Sequence, residues 1–507
     1  ITTYTPQLHV YGAVSAVKMP AIQGNGTDRS TSKIDINDGA SVTSDSLAMY
    51  LPQPCEVNVN GGTVKGYCAI GIKSGTLNIN GGLVQGVAND TVISDKHSST
   101  NGINYDGSAI MIDSYIGYAG QVKINISGGK VESLYSTAIR EIGNDASKTN
   151  MVSLSVTGGE VMGADGMDAI LVRDVTMKAG TLSATGGTFS SKVLPEYCAT
   201  GFVPKDNGDG TYGVEVDTSV AEVNGVKYKT LQAAIDAALR KATVKLLADT
   251  KENVTISTPY VTLDLNGHTL NGSTGERKPA LTITARVTVM DSSAAQTGTI
   301  MREDTAENSG VSSHYVIDVQ GGGWLTFESG TVKNDSGAGG TKGASLVRVG
   351  DDSVAKYPGL NIKGGTFTQD NFIVIKVDRG DLFLNGGTLN CANSYAVENW
   401  HRATIKGGTV NGNVSSWTYS SGLNSELTIN GGTVNGNVES VSYDGAEGKL
   451  AKVAITGGTV NGTLSTKRYG EEAAPSKDMA TIEVTGGTFS SDPTKYVVED
   501  SAVTNNS

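Results

Sequence analysis

The chain has 507 residues, room for several domains, with 66 glycines, 18% charged residues and a formal net charge of −12. That charge argues against a general basic surface for nucleic acid or anionic lipid. No run of about eighteen apolar residues is present to span a bilayer as a helix, and the even spread of Val, Ile and Leu argues against disorder.

From the N-terminus, a strand-like run, a Gly-Gly pair and a second short run recur. The copies are VNVNGGTV (57–64), LNINGGLV (77–84), INISGGKV (124–131), LSVTGGEV (154–161) and LSATGGTF (182–189). They return as LNIKGGTF (360–367), LFLNGGTL (382–389), ATIKGGTV (403–410), LTINGGTV (427–434), VAITGGTV (453–460) and IEVTGGTF (482–489). Degenerate copies stand at 34–41, 263–270 and 325–332. Steps between pairs run from 20 residues (Gly61 to Gly81) to 47 (Gly81 to Gly128). Apolar and polar residues alternate in each copy, so alternate side chains share a face. The glycines permit a positive φ or a close backbone approach. A third segment lies between copies, as in SAIMIDSY (108–115), SLVRVGDD (345–352) and YAVENW (395–400).

Three short strands per repeat predict an all-β fold, a parallel β-helix whose stacked copies share one core. A propeller blade needs about 40 residues and four strands, which the shortest step excludes. Thr63, Thr366, Thr388, Thr409, Thr433 and Thr459 should form a single row, and Asn411, Asn435 and Asn461 an amide ladder. Cys55, Cys68, Cys198 and Cys391 form no CxxC pair and no metal-like cluster, so no metal or cofactor is expected. Cys55 and Cys68 could pair across adjacent strands, while buried free thiols are the commoner outcome.

TGGTFSS at 185–191 and again at 485–491, each followed by a tyrosine (Tyr197, Tyr496), reads as the close of an array. Residues 201–216 predict a hairpin turning at Asn207-Gly-Asp-Gly210, because Gly208 and Gly210 fall where a calcium loop needs oxygen ligands. Residues 230–242 predict an amphipathic helix, with Leu231, Ala234, Ile235, Ala238 and Leu239 on one face and Thr230 as its cap. Such a helix would cover the open end of a second array. The expected division is 1–200 for the first β-helix, 201–242 for hairpin and capping helix, and 243–507 for the second β-helix.

YKTLQAAIDAA (228–238) running into VTLDLNGHTLNG (261–272) resembles the entry cap of the pectin lyase-like superfamily. That resemblance implies a right-handed parallel β-helix over nearly the whole chain. GGTFSS with DNGDGTYGV is similar to modular repeat surface proteins of gut Firmicutes, implying a secreted or cell-surface bacterial protein. The chain opens on Ile without a signal-peptide pattern, and reads as a mature or trimmed piece.

Charge is densest in the third segments: Asp113, Arg140, Glu141, Arg173, Asp174, Arg348, Asp351, Asp352, Asp378, Arg379, Glu398 and Arg402. ENWHR gathers Glu398, Trp400, His401 and Arg402, and Trp417 and Tyr419 follow one repeat later. Exposed aromatics stack on sugar faces or anchor protein partners. Arg348, Asp351, Asp378, Arg379, Glu398, Trp400, His401, Arg402, Trp417 and Tyr419 are therefore the candidate ligand-binding residues. No galacturonase, pectate lyase or pectinesterase motif set can be placed, and no catalytic residue is assigned. His9, His97, His268, His314 and His401 are isolated from one another in sequence. The expected function is non-catalytic binding, by a monomer, of a host or environmental glycan, glycoprotein or mucosal protein such as immunoglobulin. The alternative is a lyase or glycoside hydrolase acting on acidic polysaccharide.

Overall fold

The computed structural model describes residues 5–25, 30–89, 107–115, 117–118, 120–143, 151–276, 278–303, 315–334, 344–351, 356–419, 422–443, 448–468, 479–499 and 501–504. His97, His314 and Asp352 lie outside the described residues. Two compact units divide the chain, Ile1–Asp217 and Thr218–Ser507. The hairpin Phe202–Asp206/Tyr212–Val216 belongs to the first and the helix Leu231–Ala237 to the second.

In Ile1–Asp217 successive repeats add strands to three sheets, pairing in parallel from repeat to repeat, and the antiparallel hairpin Phe202–Asp206/Tyr212–Val216 ends the second of them. Cys55–Val59 joins the first sheet, Thr63–Gly66 the second and Ile70–Ile72 the third. Gly75–Ile79 then returns to the first, pairing in parallel with Cys55–Val59. Alternation decides which side chains enter: Val57 and Val59 are buried, whereas Glu56 is exposed. In register, Ile34, Val57, Leu77, Ile124, Leu154 and Leu182 form one inward row. Burying each such side chain contributes about 1.5–3 kcal/mol, and only a stacked neighbour can complete that burial.

Thr218–Ser507 repeats the scheme in three ladders. Val261–Asp264 pairs with Arg286–Met290 in the first, Thr269–Asn271 with Thr299–Arg302 in the second, and Leu281–Ile283 with Ile317–Val319 in the third. From Thr388 onward the strands lengthen and run through corners. Thr388–Asn399 and Thr409–Thr418 join the second ladder to the third, and Ser425–Val434 and Ala451–Val460 join the first to the second.

Each glycine of the repeated pair has its own reason. A Cβ on Gly431 would lie 2.3 Å from the carbonyl oxygen of Lys406 in the preceding repeat, while Gly432 has φ +73°. The first position needs close approach, the second a left-handed backbone. Beyond the turn, Asn411 donates to Asn390, Asn435 to Asn411 and Asn461 to Asn435, each at 2.8 Å. The bonds run amide to amide. Thr366, Thr388, Thr409, Thr433 and Thr459 stand in register beside them, whereas Thr63 belongs to the other unit.

The helix is shorter than its apolar spacing predicts. Thr230 Oγ1 accepts from the Ala233 N–H at 3.2 Å, and the Glu252 carboxylate accepts from the Leu231 and Gln232 N–H groups at 2.7 and 3.1 Å. Ala238 already has extended ψ, and Lys241 is left-handed at φ +69°. The chain must turn there into strand Thr243–Leu246, which leaves Leu239 72% exposed. Periodicity cannot register that turn. A second short helix, Asp174–Lys178, stands after the third-sheet strand Ile170–Leu171. Both TGGTFSS copies lead into a single 3-10 turn, Pro195–Tyr197 and Thr494–Tyr496, followed by bridges Ala184–Cys198 and Val484–Val497. All four cysteines are free thiols, and burial pushes the Cys55 thiol up to about 12.

Candidate functional site

The third ladder of Thr218–Ser507 alternates inward Val and Ile with outward polar residues. In register, the outward row reads Asp318, Arg348, Lys376, Glu398, Ser415 and Glu439. Like charges directly opposite would repel, and the row alternates them in part. Asp318 accepts from Arg348 Nε at 2.9 Å and Nη2 at 2.7 Å, and the Tyr315 ring lies 4.7 Å from that guanidinium. Lys376 Nζ is 3.0 Å from Asp378 Oδ1.

Burial shapes the charges here. It holds the Asp318 and Glu398 carboxyls above the usual range, outweighing the Arg348 hydrogen bonds in one case and the Trp400 hydrogen bond in the other. For Lys376, burial acts to lower the pKa, but Asp378 and Glu398 offset it and the ammonium is raised. The Tyr315 hydroxyl is raised by burial.

Aromatic side chains continue the same face. Trp400 Nε1 donates to Glu398 Oε1 at 2.8 Å, and Trp417 Nε1 donates to Ser415 Oγ at 2.7 Å. Each indole is thus tied to the side chain two residues back in the chain. The Trp400 centroid lies 5.3 Å from Trp417, 5.4 Å from Tyr419 and 6.5 Å from Tyr443. Tyr395 stands edge-on to Trp417 at 6.0 Å and donates to Glu439 Oε2 at 2.8 Å. Trp417 is buried, Trp400 and Tyr419 are partly exposed and Tyr443 is exposed.

Of the candidates, Arg348, Asp378, Glu398, Trp400, Trp417 and Tyr419 share this face, and Asp351 lies within electrostatic reach of Asp318. The Arg379 backbone packs against Gly350 at its margin. ENWHR divides. His401 is buried, its Nδ1 2.8 Å from the Gly380 carbonyl and its ring stacked on Tyr357 at 4.5 Å. Arg402 begins a first-ladder strand and grips Asp381 through Nε (2.7 Å) and Nη2 (3.1 Å). The corner at residue 401 carries these two onto a different face.

Asp318, Tyr315, Lys376, Tyr395, Glu439 and Tyr443 belong to the site and are missing from the sequence candidates. Their signal was positional: Asp318 in VIDV and Lys376 in VIKV occupy the slot of Arg348 in LVRV. Among the described residues no cluster of His, Cys, Asp or Glu could hold a metal ion, and no helix is long and apolar enough to cross a membrane. The face joins flat aromatic surface to half-buried charges, the two kinds of contact that fix a sugar ring. Comparison with protein-family models, with curated proteins and with solved structures finds no match to this chain.

Proposed function

We propose that each unit is a right-handed parallel β-helix of the pectin lyase-like kind, and that Thr218–Ser507 binds a glycan on the outer side of its third ladder. Support for the solenoid comes from parallel pairing of every repeat with the next and from the shared inward rows. One observation carries the binding reading: Tyr395, Trp400, Trp417, Tyr419 and Tyr443 converge on the face that also bears Arg348, Lys376, Asp378 and Glu398. The work of such a protein is attachment to host or environmental glycans or glycoproteins, from a secreted or cell-surface position. A glycan array probed with the wild-type chain and with Trp400→Ala tests it. Retention of a glycan class that the variant loses supports the reading, and an array with no signal above background rejects it.

A second reading, cleavage of acidic polysaccharide, is favoured by the raised Glu398 carboxyl beside Lys376 and Asp378. A carboxyl raised by burial and standing near a cation suits proton transfer to or from a bound sugar. Reducing-end and unsaturated-product assays on polyuronates decide between the two. Turnover abolished by Glu398→Gln with binding intact would establish the enzyme.

A further inference from the structure

The first ladder of Thr218–Ser507 has an outward row of its own: Arg286, Trp324, Gly359, Asp381, Arg402 and Glu426, in register. Tryptophan among charged neighbours on an outer sheet face has no core to fill. Gly359 explains how the ring fits. A Cβ there would lie 2.5 Å from Cε3 and Cζ3 of Trp324, so the indole lies flat across the neighbouring strand. Beyond it, Phe383 presents a near-parallel ring, with centroids 6.0 Å apart and planes within 28°. Both rings are partly exposed.

An aromatic ring laid over a cross-strand glycine completes the sheet surface, which accounts for one face of Trp324. It does not account for Phe383 alongside, nor for what flanks the pair. Arg286 lies 5.6 Å from the Trp324 centroid and Lys406 5.8 Å from that of Phe383. Neither cation has a carboxylate partner among the described residues. Next to Phe383 the surface sinks into a depression of about 210 Å³ lined by Asp381, Arg402, Thr404, Glu426 and Thr428.

We propose that this surface is a second glycan-binding site, separate from the third-ladder face and independent of its reading. Consecutive pyranose rings of a polysaccharide stack on Trp324 and Phe383, and the hydroxyls of the next sugar meet Thr404, Thr428 and Glu426 in the depression. The chain runs across the strands. Trp324 and Glu426 are four strand steps apart, about 19 Å at the usual spacing, enough for a short run of sugars. Stacking supplies affinity through ring C–H groups, while Arg286 and Lys406 donate to ring substituents at either end.

The chain has three tryptophans, so in the variant W400F/W417F all indole emission comes from Trp324 and the third-ladder indoles are gone. That variant is titrated with soluble β-glucan, xylan, mannan and polygalacturonate. At least one should shift or quench the emission saturably. Adding Phe383→Ala, or Gly359→Ala to lift the indole from its seat, should weaken that response roughly fivefold to tenfold. If Gly359→Ala does not fold by circular dichroism, Phe383→Ala decides. No response to any of the four polymers, or an unchanged response in the Phe383 variant, overturns the proposal.

Discussion

On the third sheet of Ile1–Asp217 the outward row reads Gln23, Tyr50, Gly71, Met111 and Arg140; on the third ladder of Thr218–Ser507 it reads Asp318, Arg348, Lys376 and Glu398. From Tyr50 to Arg140 the first of these surfaces is sealed. Lys73 Nζ sits 2.8 Å from Asp113 Oδ2 with both side chains 0% exposed, and the Tyr50 and Tyr118 rings lie over the ammonium. Leu47, Tyr50, Cys68, Met111 and Ile142 form a small apolar cluster there. Glu141 accepts from the Ser114 hydroxyl at 2.7 Å and from the Arg173 N–H at 3.0 Å. The second surface keeps Lys376 30% and Asp378 26% exposed, with aromatic rings open to solvent beside them. One repeat supports both outcomes. What lies outside the core is chosen residue by residue.

The largest effect should come from unbalancing the sealed pair. Asp113→Leu strands the Lys73 charge and should cost about 3–5 kcal/mol, whereas the double variant Lys73→Met/Asp113→Leu should return close to wild type. Asp378→Ala on the open surface should cost less than about 1 kcal/mol. Denaturant midpoints read all three, and equal losses at Asp113 and Asp378 would erase the contrast.

The scaffold, by comparison, should respond alike in both units. Gly81→Ala meets the Asn60 carbonyl at 2.5 Å and Gly407→Ala meets that of Asn385 at 2.5 Å. Each should lose about 1–3 kcal/mol, within about 0.5 kcal/mol of the other. Next in size, Trp400→Ala should weaken glycan retention roughly tenfold with little change in thermal midpoint, because its ring is partly exposed. Trp417→Ala should lose stability as well as retention, since that ring is buried.

The smallest effect is a pair of opposite pH limbs. Burial lowers Lys73, so its contribution is fully present above the ordinary lysine value and lost as pH falls through the lowered one. Burial raises Glu398, so its contribution is fully present below the ordinary carboxylate value and lost as pH rises through the raised one. Lys73→Met/Asp113→Leu should flatten the limb below the ordinary lysine value and Glu398→Gln the limb above the ordinary carboxylate value. Stability curves against pH for the three proteins check the signs.

Much of the strand order was legible because Gly-Gly recurs with alternating apolar residues, and a period of two reports facing directly. The turn chemistry was legible too: in the hairpin, Asp206 and Asp209 accept from the Gly208 and Thr211 N–H groups two residues on. The candidate face was legible in part. Trp400 and Trp417 stood out as rare residues with Tyr419 beside them, but proximity in sequence grouped His401 and Arg402 with them, and the corner at residue 401 places those two on another face. Trp324 escaped notice because its meaning depends on Gly359, 35 positions away and aligned with it only through register. Sealed and open charges were also indistinguishable, since Asp113 and Asp378 close similar apolar runs and differ only in what folds over them.

The amide row from Asn390 to Asn461 has a direction: every Nδ2 gives to the oxygen of the repeat before it. Excising the residues from Asn411 through Val434 would set Asn435 against Asn390, donor to acceptor as before, and would bring Thr459 into line with Thr409. Duplicating the same stretch would add a link of identical polarity. The amide row can therefore be lengthened or shortened by whole rungs without reversing its polarity, while each rung's outer face remains free to carry a different cargo of side chains.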